Sequence, residues 1–376
     1  MPYLLEESFH SRLPKMIKTL RDMVEIESPT HDKSSVDRLG LYLSNKAQEM
    51  NAELEVHGQV DAGDHVSMYW GNGERDILLL THMDTVHALG TLREMPWRQD
   101  DEKIFGPGVF DMKAGIVIAL SAVEALQDNG NLPERGLTLL CTSDEETGSE
   151  TSRNLIESMA RAHKLVLVLE PGLSNGELKT WRKGSGDFQI ETHGKAAHAG
   201  ASPESGINAI LEMAYQMIEL SQLPDTAKGI SLNLGRIRGG TRSNVVAENC
   251  VCNVDVRVKT LKDQEIIESA IRRREPKLNG SKIDVRGSWN RPPMQRTSLI
   301  LKTFERAKAI AKKINMDLDE GGTGGASDAN FVAPLGIPVL DGLGAIGNGA
   351  HSREEHIRIT SLSSRAALLA ALITDW

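Results

Sequence analysis

Short, nearly unbroken apolar runs alternate with helical stretches along much of this sequence, and that alternation restricts the fold more than any other feature. Residues 76–81, 137–141, 165–169 and 337–340 read as strands buried on both faces. Residues 4–26, 35–50, 115–126 and 362–373 carry helical periodicity. Together they predict an α/β class protein, an α/β/α sandwich around a largely parallel sheet.

The middle of the chain is different. Residues 187–192 and 251–258 alternate apolar with polar side chains, as a sheet with one wet face requires. With helices near 206–221 and 263–273 and strands near 229–237 and 283–285, the order is β-α-β-β-α-β, a ferredoxin-like α+β unit. Gly184-Ser-Gly186 and Arg291-Pro-Pro293 punctuate its ends. The expectation is one domain inserted in another: residues 1–178 and 293–376 around an insert at 179–292. A chain of 376 residues is long enough for two cores.

The residue types just beyond each buried run suggest chemistry. The first run leads into His82-Met-Asp84, the second into Asp144-Glu145-Glu146, the third into Glu170, and the last, through a Gly-rich segment, to His351. In open α/β sheets functional groups gather beyond the carboxyl ends of strands. Asp111 joins them from a turn just before the helix at 115–126. Each signal alone has an ordinary structural reading, a cap or an exposed charge. Jointly they put five candidate ligands, two histidines and three carboxylates, on one edge, where mutual repulsion calls for cations.

Such a donor set suits zinc, with cobalt or manganese as substitutes. Five ligands are too few for two closed sites but suffice if one carboxylate bridges two metals and water fills the open positions. A metal pair acidifies a bridging water and stabilises the oxyanion of an attacked carbonyl. A further carboxylate is needed as general base, and Glu145 and Glu146 are adjacent, so one can bind metal while the other faces the water.

Thr81-His-Met-Asp-Thr85, Gly106-Pro-Gly-Val-Phe-Asp-Met-Lys-Ala-Gly115, Asp144-Glu-Glu-Thr-Gly148, Glu170-Pro171, His198-Ala-Gly200 and His351-Ser352 resemble the signature segments of the co-catalytic zinc metallopeptidases. That family includes glutamate carboxypeptidases, acetylornithine deacetylase, succinyl-diaminopimelate desuccinylase and aminoacylase. The resemblance implies two Zn2+ per subunit. His82 and Glu170 would hold one, Glu146 and His351 the other, with Asp111 bridging. Glu145 would be the general base and Asp84 would orient His82. The insert would be a lid and dimerisation domain forming a homodimer, with His198 supplying part of the oxyanion site across it. Asn244 and Arg257 would contact substrate, the Arg through a carboxylate, and the glycine loop at Gly324 and Gly325 would lie near it. His193 reads as a surface residue.

Glu170 in place of Asp favours carboxypeptidase and deacylase members over the aminotripeptidase and aminoacylase branches, and Gly-Pro-Gly at 106–108 and Asn290-Arg-Pro-Pro-Met294 look most like glutamate carboxypeptidases. Asn330 stands where desuccinylases carry an Arg. The expected substrate is a small peptide or N-acyl amino acid losing a C-terminal residue of glutamate type; N-acyl amino acid deacylation is the alternative. A serine hydrolase would need a Gly-x-Ser-x-Gly elbow, and 325–329 lacks its second glycine. A non-catalytic binding protein on this scaffold would have lost the base or a ligand, and all six residues are present.

The net charge of -9, with Arg272-Arg273-Arg274 the only tight basic run, disfavours nucleic acid. Neither a signal-peptide core in the first 20 residues nor a bilayer-long apolar stretch is evident. With only three cysteines, Cys141, Cys250 and Cys252, a reducing cytoplasm is expected.

Overall fold

The computed structural model describes residues 6–71 and 73–376. The chain folds into two compact units, one of residues 1–180, 296–323 and 327–376, the other of residues 181–295 and 324–326.

The first unit is built on an eight-stranded sheet. Its strands lie in the order Glu53–His57, His65–Trp70, Gly136–Thr142, Arg75–His82, Leu165–Val168, Val339–Asp341, Leu178–Arg182, Glu320–Thr323. The four apolar runs form its centre and pair in parallel. Every residue of Gly136–Thr142 and Leu165–Val168 is buried, as covering on both faces demands. The edge beyond Gly136–Thr142 is antiparallel, a hairpin of Glu53–His57 and His65–Trp70. The last central strand starts at Val339, two residues later than expected, because Pro338 has no N–H for the ladder. Its carbonyl still accepts from Val166 N at 2.9 Å.

Helices cover both faces. Glu6–Glu25, Ala114–Asp128, Ser298–Lys313 and Thr360–Asp375 pack in one group, Arg153–Ala162 and Ala329–Val332 in another. Ala114–Asp128 is apolar nearly all round and buries twelve of its residues, so it is a core helix and not a surface one. Positions 4 and 5 of the expected first helix lie outside the described residues. No helix among the described residues is long and apolar enough to cross a membrane.

The second unit runs Gly184–His193, Ala209–Leu220, Ser231–Gly239, Asn249–Val258, Leu261–Arg272, Lys282–Arg291. Its four strands, in the order Ser231–Gly239, Asn249–Val258, Gly184–His193, Lys282–Arg291, are all antiparallel, the ferredoxin-like arrangement. Alternate residues of Asn249–Val258 are buried, placing Cys250, Cys252, Val254 and Val256 in a core with Phe188, Met213 and Ile267. Asn208 and Thr260 cap the two helices through their side chains. Residues 324–326 belong to this unit and not to the flanking chain, contrary to expectation, since Arg182 donates to the carbonyls of Gly325 and Ala326 at 3.3 Å each.

Candidate metal centre

Strand ends place the side chains of this centre. His82 closes Arg75–His82, Glu145 and Glu146 open a single helical turn after Gly136–Thr142, and Glu170 follows Leu165–Val168. Asp111 comes from the irregular stretch Val109–Lys113. His351 sits between the short strands Gly347–Asn348 and His356–Arg358 with a φ of 63°, a left-handed conformation rare for a residue with a Cβ.

These residues converge. Asp111 lies between the two imidazoles: Oδ1 is 3.2 Å from His82 Nε2 and Oδ2 is 3.3 Å from His351 Nε2. His82 Nε2 is also 3.5 Å from Glu170 Oε1, and His351 Nε2 is 3.1 Å from Glu146 Oε2. Ligand atoms of His82, Glu145 and Glu170 fall within 4.8 Å of one another, as do those of His82, Asp111 and Glu146. Asp84, fully buried, stands behind. Its Oδ1 is 3.4 Å from His82 Nδ1, and its own carbonyl oxygen is nearer still at 3.1 Å. The Asp84 carboxylate further accepts from Thr30 Oγ1 at 2.7 Å and from the N–H groups of Glu145 and Glu146 at 3.2 and 3.1 Å. One carboxylate thus orients both an imidazole and the turn carrying two glutamates.

The electrostatics are those of a cation site. Burial alone would depress the His82 imidazolium, yet Asp111, Asp84 and Glu170 carry its pKa well above the ordinary value. Asp111 and Glu146 push His351 up to about 11. Asp111 itself is held below the usual carboxylate range despite its burial, by hydrogen bonds from the two imidazoles. Burial raises Glu146, whose Oε1 is enclosed without a hydrogen-bond partner. Protonated histidines here serve as counter-charges, and metal would take their place by displacing the protons. An orphaned carboxylate oxygen amid nitrogen and oxygen donors fits a divalent metal of the zinc, cobalt or manganese kind.

Of the other expected residues, His198, Asn244, Arg257, Gly324 and Gly325 all lie in the second unit. His198 bridges to Val245, and Ala199 N donates to the Asn244 carbonyl at 3.0 Å, so those two segments are neighbours. The His198 Nδ1 accepts from the N–H groups of Gly200 and Ala201, both at 3.1 Å. Arg257 spends Nε and Nη2 on Asp255 at 2.8–3.1 Å. His193 is half-exposed between Asn249 and Asp284, a surface hydrogen-bonding role.

Sequence reading missed Glu355. Its buried carboxylate accepts from the N–H groups of Gly108, Phe110 and Asp111 at 3.0, 2.8 and 3.0 Å and meets His87 Nε2 at 2.6 Å. It therefore fixes the backbone of Asp111 from a position four residues beyond His351. In the sequence it is one of two adjacent glutamates after an Arg, and nothing local marks it as buried. Asp144 is metal-capable by residue type and position, but the structure turns it away, onto Thr151 N and Oγ1 at 2.7 and 2.8 Å. We expect Glu355→Gln to weaken metal binding by about 10–100-fold, because the new amide NH2 faces donors and releases the Asp111 turn. Competition with a chelator measures it; unchanged affinity would refute the tether.

Comparison with known proteins accords with this geometry. Residues 78–375 match Peptidase family M20/M25/M40. The chain belongs to that family. It is 32% identical over 370 residues to carboxypeptidase G2 from Pseudomonas sp. (strain RS-16), covering 96% of this chain and 89% of that protein. It is 27% identical over 391 residues to a succinyl-diaminopimelate desuccinylase from Afipia carboxidovorans, covering 97% of this chain and all of the other. Among solved structures, aminopeptidase PepT from Bacillus cereus superposes with a TM-score of 0.76 at 22% identity over 96% of this chain and 98% of that one, a likeness of fold. As a member of this metal-dependent family the protein is a metallopeptidase, a hydrolase of peptide or amide bonds. The expected kinship with carboxypeptidases and deacylases is borne out.

Proposed function

We propose that this M20-family hydrolase is a two-zinc metallocarboxypeptidase releasing a C-terminal amino acid, of glutamate type, from a small peptide or N-acyl amino acid. The observation that carries it is the Asp111 carboxylate, with one oxygen toward His82 and the other toward His351. The side chains divide around it in two sets, His82 with Glu170 and His351 with Glu146, as two ions sharing one bridging carboxylate would require. The 32% identity with carboxypeptidase G2, over 96% of this chain, supports the choice of reaction.

When bound, the metal pair supplies Lewis acidity to the scissile carbonyl and lowers the pKa of the attacking water. Glu145, 8% exposed and beside His82 and Glu170, takes that water's proton and delivers it to the leaving amine. Asp84 fixes the His82 ring and the Glu145 backbone together, so base and ligand keep their spacing. His198 donates to the developing oxyanion. Arg257 grips the substrate's terminal carboxylate, Asn244 contacts the substrate separately, and the glycines at 324 and 325 line the approach. Asp255 engages one edge of the guanidinium and leaves Nη1 for the substrate.

Arg257→Ala should raise KM for carboxylate substrates about tenfold or more, the value of a charge-assisted hydrogen bond, with kcat little changed. An unaltered KM would remove Arg257 from the site.

The second unit supports a homodimer. Ile210, Tyr215 and Ile218 are 42%, 42% and 63% exposed on Ala209–Leu220, and Ile237 is 51% exposed on the edge strand Ser231–Gly239. The three cysteines, all buried and free, suit a reducing cytoplasm.

The deciding experiment strips metal with chelator and restores zinc, cobalt or manganese, reading hydrolysis of dipeptides and N-acyl amino acids. Loss and recovery of turnover, with preference for C-terminal glutamate, is the expected result. Preference for the acyl group with indifference to the amino acid would establish a deacylase. Turnover that survives stripping, or no turnover with full metal, would overturn the reading.

A further inference from the structure

The first unit contains a cavity of about 440 Å3, lined by the turn at 175–177, the segment at 316–319, and Ile346, Ser364 and Arg365. None of the residues of the metal centre lines it. Its unusual member is Arg365, on the last helix, 3% exposed. One N–H group of Nη2 donates to the Gly176 carbonyl at 2.5 Å, while Nε is enclosed with no acceptor. Among the described residues no carboxylate pairs with it. Burial draws its pKa down to about 10, with no opposing charge to restore it.

A guanidinium removed from water is retained at high cost unless an anion accompanies it, and its planar fork matches a carboxylate. The same cavity carries the opposite charge elsewhere. Glu177 and Asp317 line it, and neither makes an ion pair among the described residues; Asp319 is engaged by Lys308 at 3.0 Å. A simple anion would be repelled by these acids, and a simple cation by the guanidinium. A ligand carrying both charges a few bonds apart satisfies both ends. Met316 and Ile346 leave an apolar wall for a side chain.

We propose that this cavity binds a free α-amino acid as its zwitterion, the carboxylate on Arg365, the ammonium on Glu177 and Asp317, and an aliphatic side chain against Met316 and Ile346. Free amino acids are the class of product that hydrolysis of peptides and N-acyl amino acids releases. The site also adjoins the catalytic strand ends through the chain: a Cβ on Gly172, two residues beyond Glu170, would stand 2.8 Å from the Arg365 Nη2. Arg365 thus packs directly against the segment that carries Glu170.

The test is calorimetric titration of the metal-loaded enzyme with L-leucine, with 4-methylpentanoate, which lacks the ammonium, and with 3-methylbutylamine, which lacks the carboxylate, neither control having an amide bond to hydrolyse. L-Leucine should bind, and deleting either ligand charge should weaken binding at least tenfold. The double variant Glu177→Gln with Asp317→Asn, altered only at the cavity wall, should lose at least tenfold in L-leucine affinity while kcat/KM at the metal centre stays unchanged. Crystals grown with L-leucine should show it against Arg365. Absence of binding, equal affinity in the double variant, or density for L-leucine at the metal centre alone would each overturn the proposal. Because kcat/KM reads one site and the variant's affinity the other, failure here leaves the metallopeptidase reading standing, and the reverse also holds.

Discussion

Glu145→Ala should lower kcat by about 10²–10⁴-fold, the usual contribution of a placed general base, while metal content stays at the wild-type level. The reason lies in the division of labour along one helical turn. Glu146 faces His351 at 3.1 Å, whereas Glu145 lies with His82 and Glu170. Their backbone N–H groups are held by Asp84, so truncating one side chain leaves the other in place. Metal analysis beside steady-state kinetics separates the cases. Loss of metal together with activity would make Glu145 a ligand and leave the enzyme in want of another base.

Asp111→Ala attacks the centre differently. Both imidazoles lose the carboxylate they share at once, and the proposed bridge disappears. Both ions should bind more weakly, by more than the roughly 10–100-fold typical when a residue that merely supports a ligand is lost. Turnover should fall to the level of the metal-stripped enzyme. If one ion remains at full affinity, Asp111 serves a single site and the two-metal arrangement fails. Asp111→Asn is the companion variant: similar in shape but neutral, it should restore packing without restoring affinity.

The four central strands were legible because strands buried on both faces must be apolar at nearly every position, and 76–81, 137–141 and 165–169 fall within a residue or two of the observed bounds. The antiparallel hairpin at Glu53–His57 and His65–Trp70 was not. Its first strand is largely exposed, so its composition resembles a loop. The alternation in Asn249–Val258 displayed the second unit's sheet for the opposite reason, one face being wet. At the centre, residues directly beyond strand ends could be found from the chain alone. Glu355 could not, because its importance lies in three backbone N–H groups about 245 residues earlier, and backbone donors carry no sequence signal. The same holds for Arg365, where an isolated arginine in an apolar helix reveals nothing about the lack of a carboxylate beside it.

The position of Val339–Asp341 has a consequence for how the protein matures. This strand lies inside the sheet, between Leu165–Val168 and Leu178–Arg182, although it follows the second unit in the chain. Both the strand and His351 leave the ribosome only after the whole second unit has been synthesised. Until then the nascent chain carries His82, Asp111, Glu146 and Glu170 next to an open strand edge, acidic and lacking one imidazole. On the proposed ligand set, the centre is complete only after His351 has emerged, and a ribosome-bound intermediate is the stage most exposed to pairing with another chain.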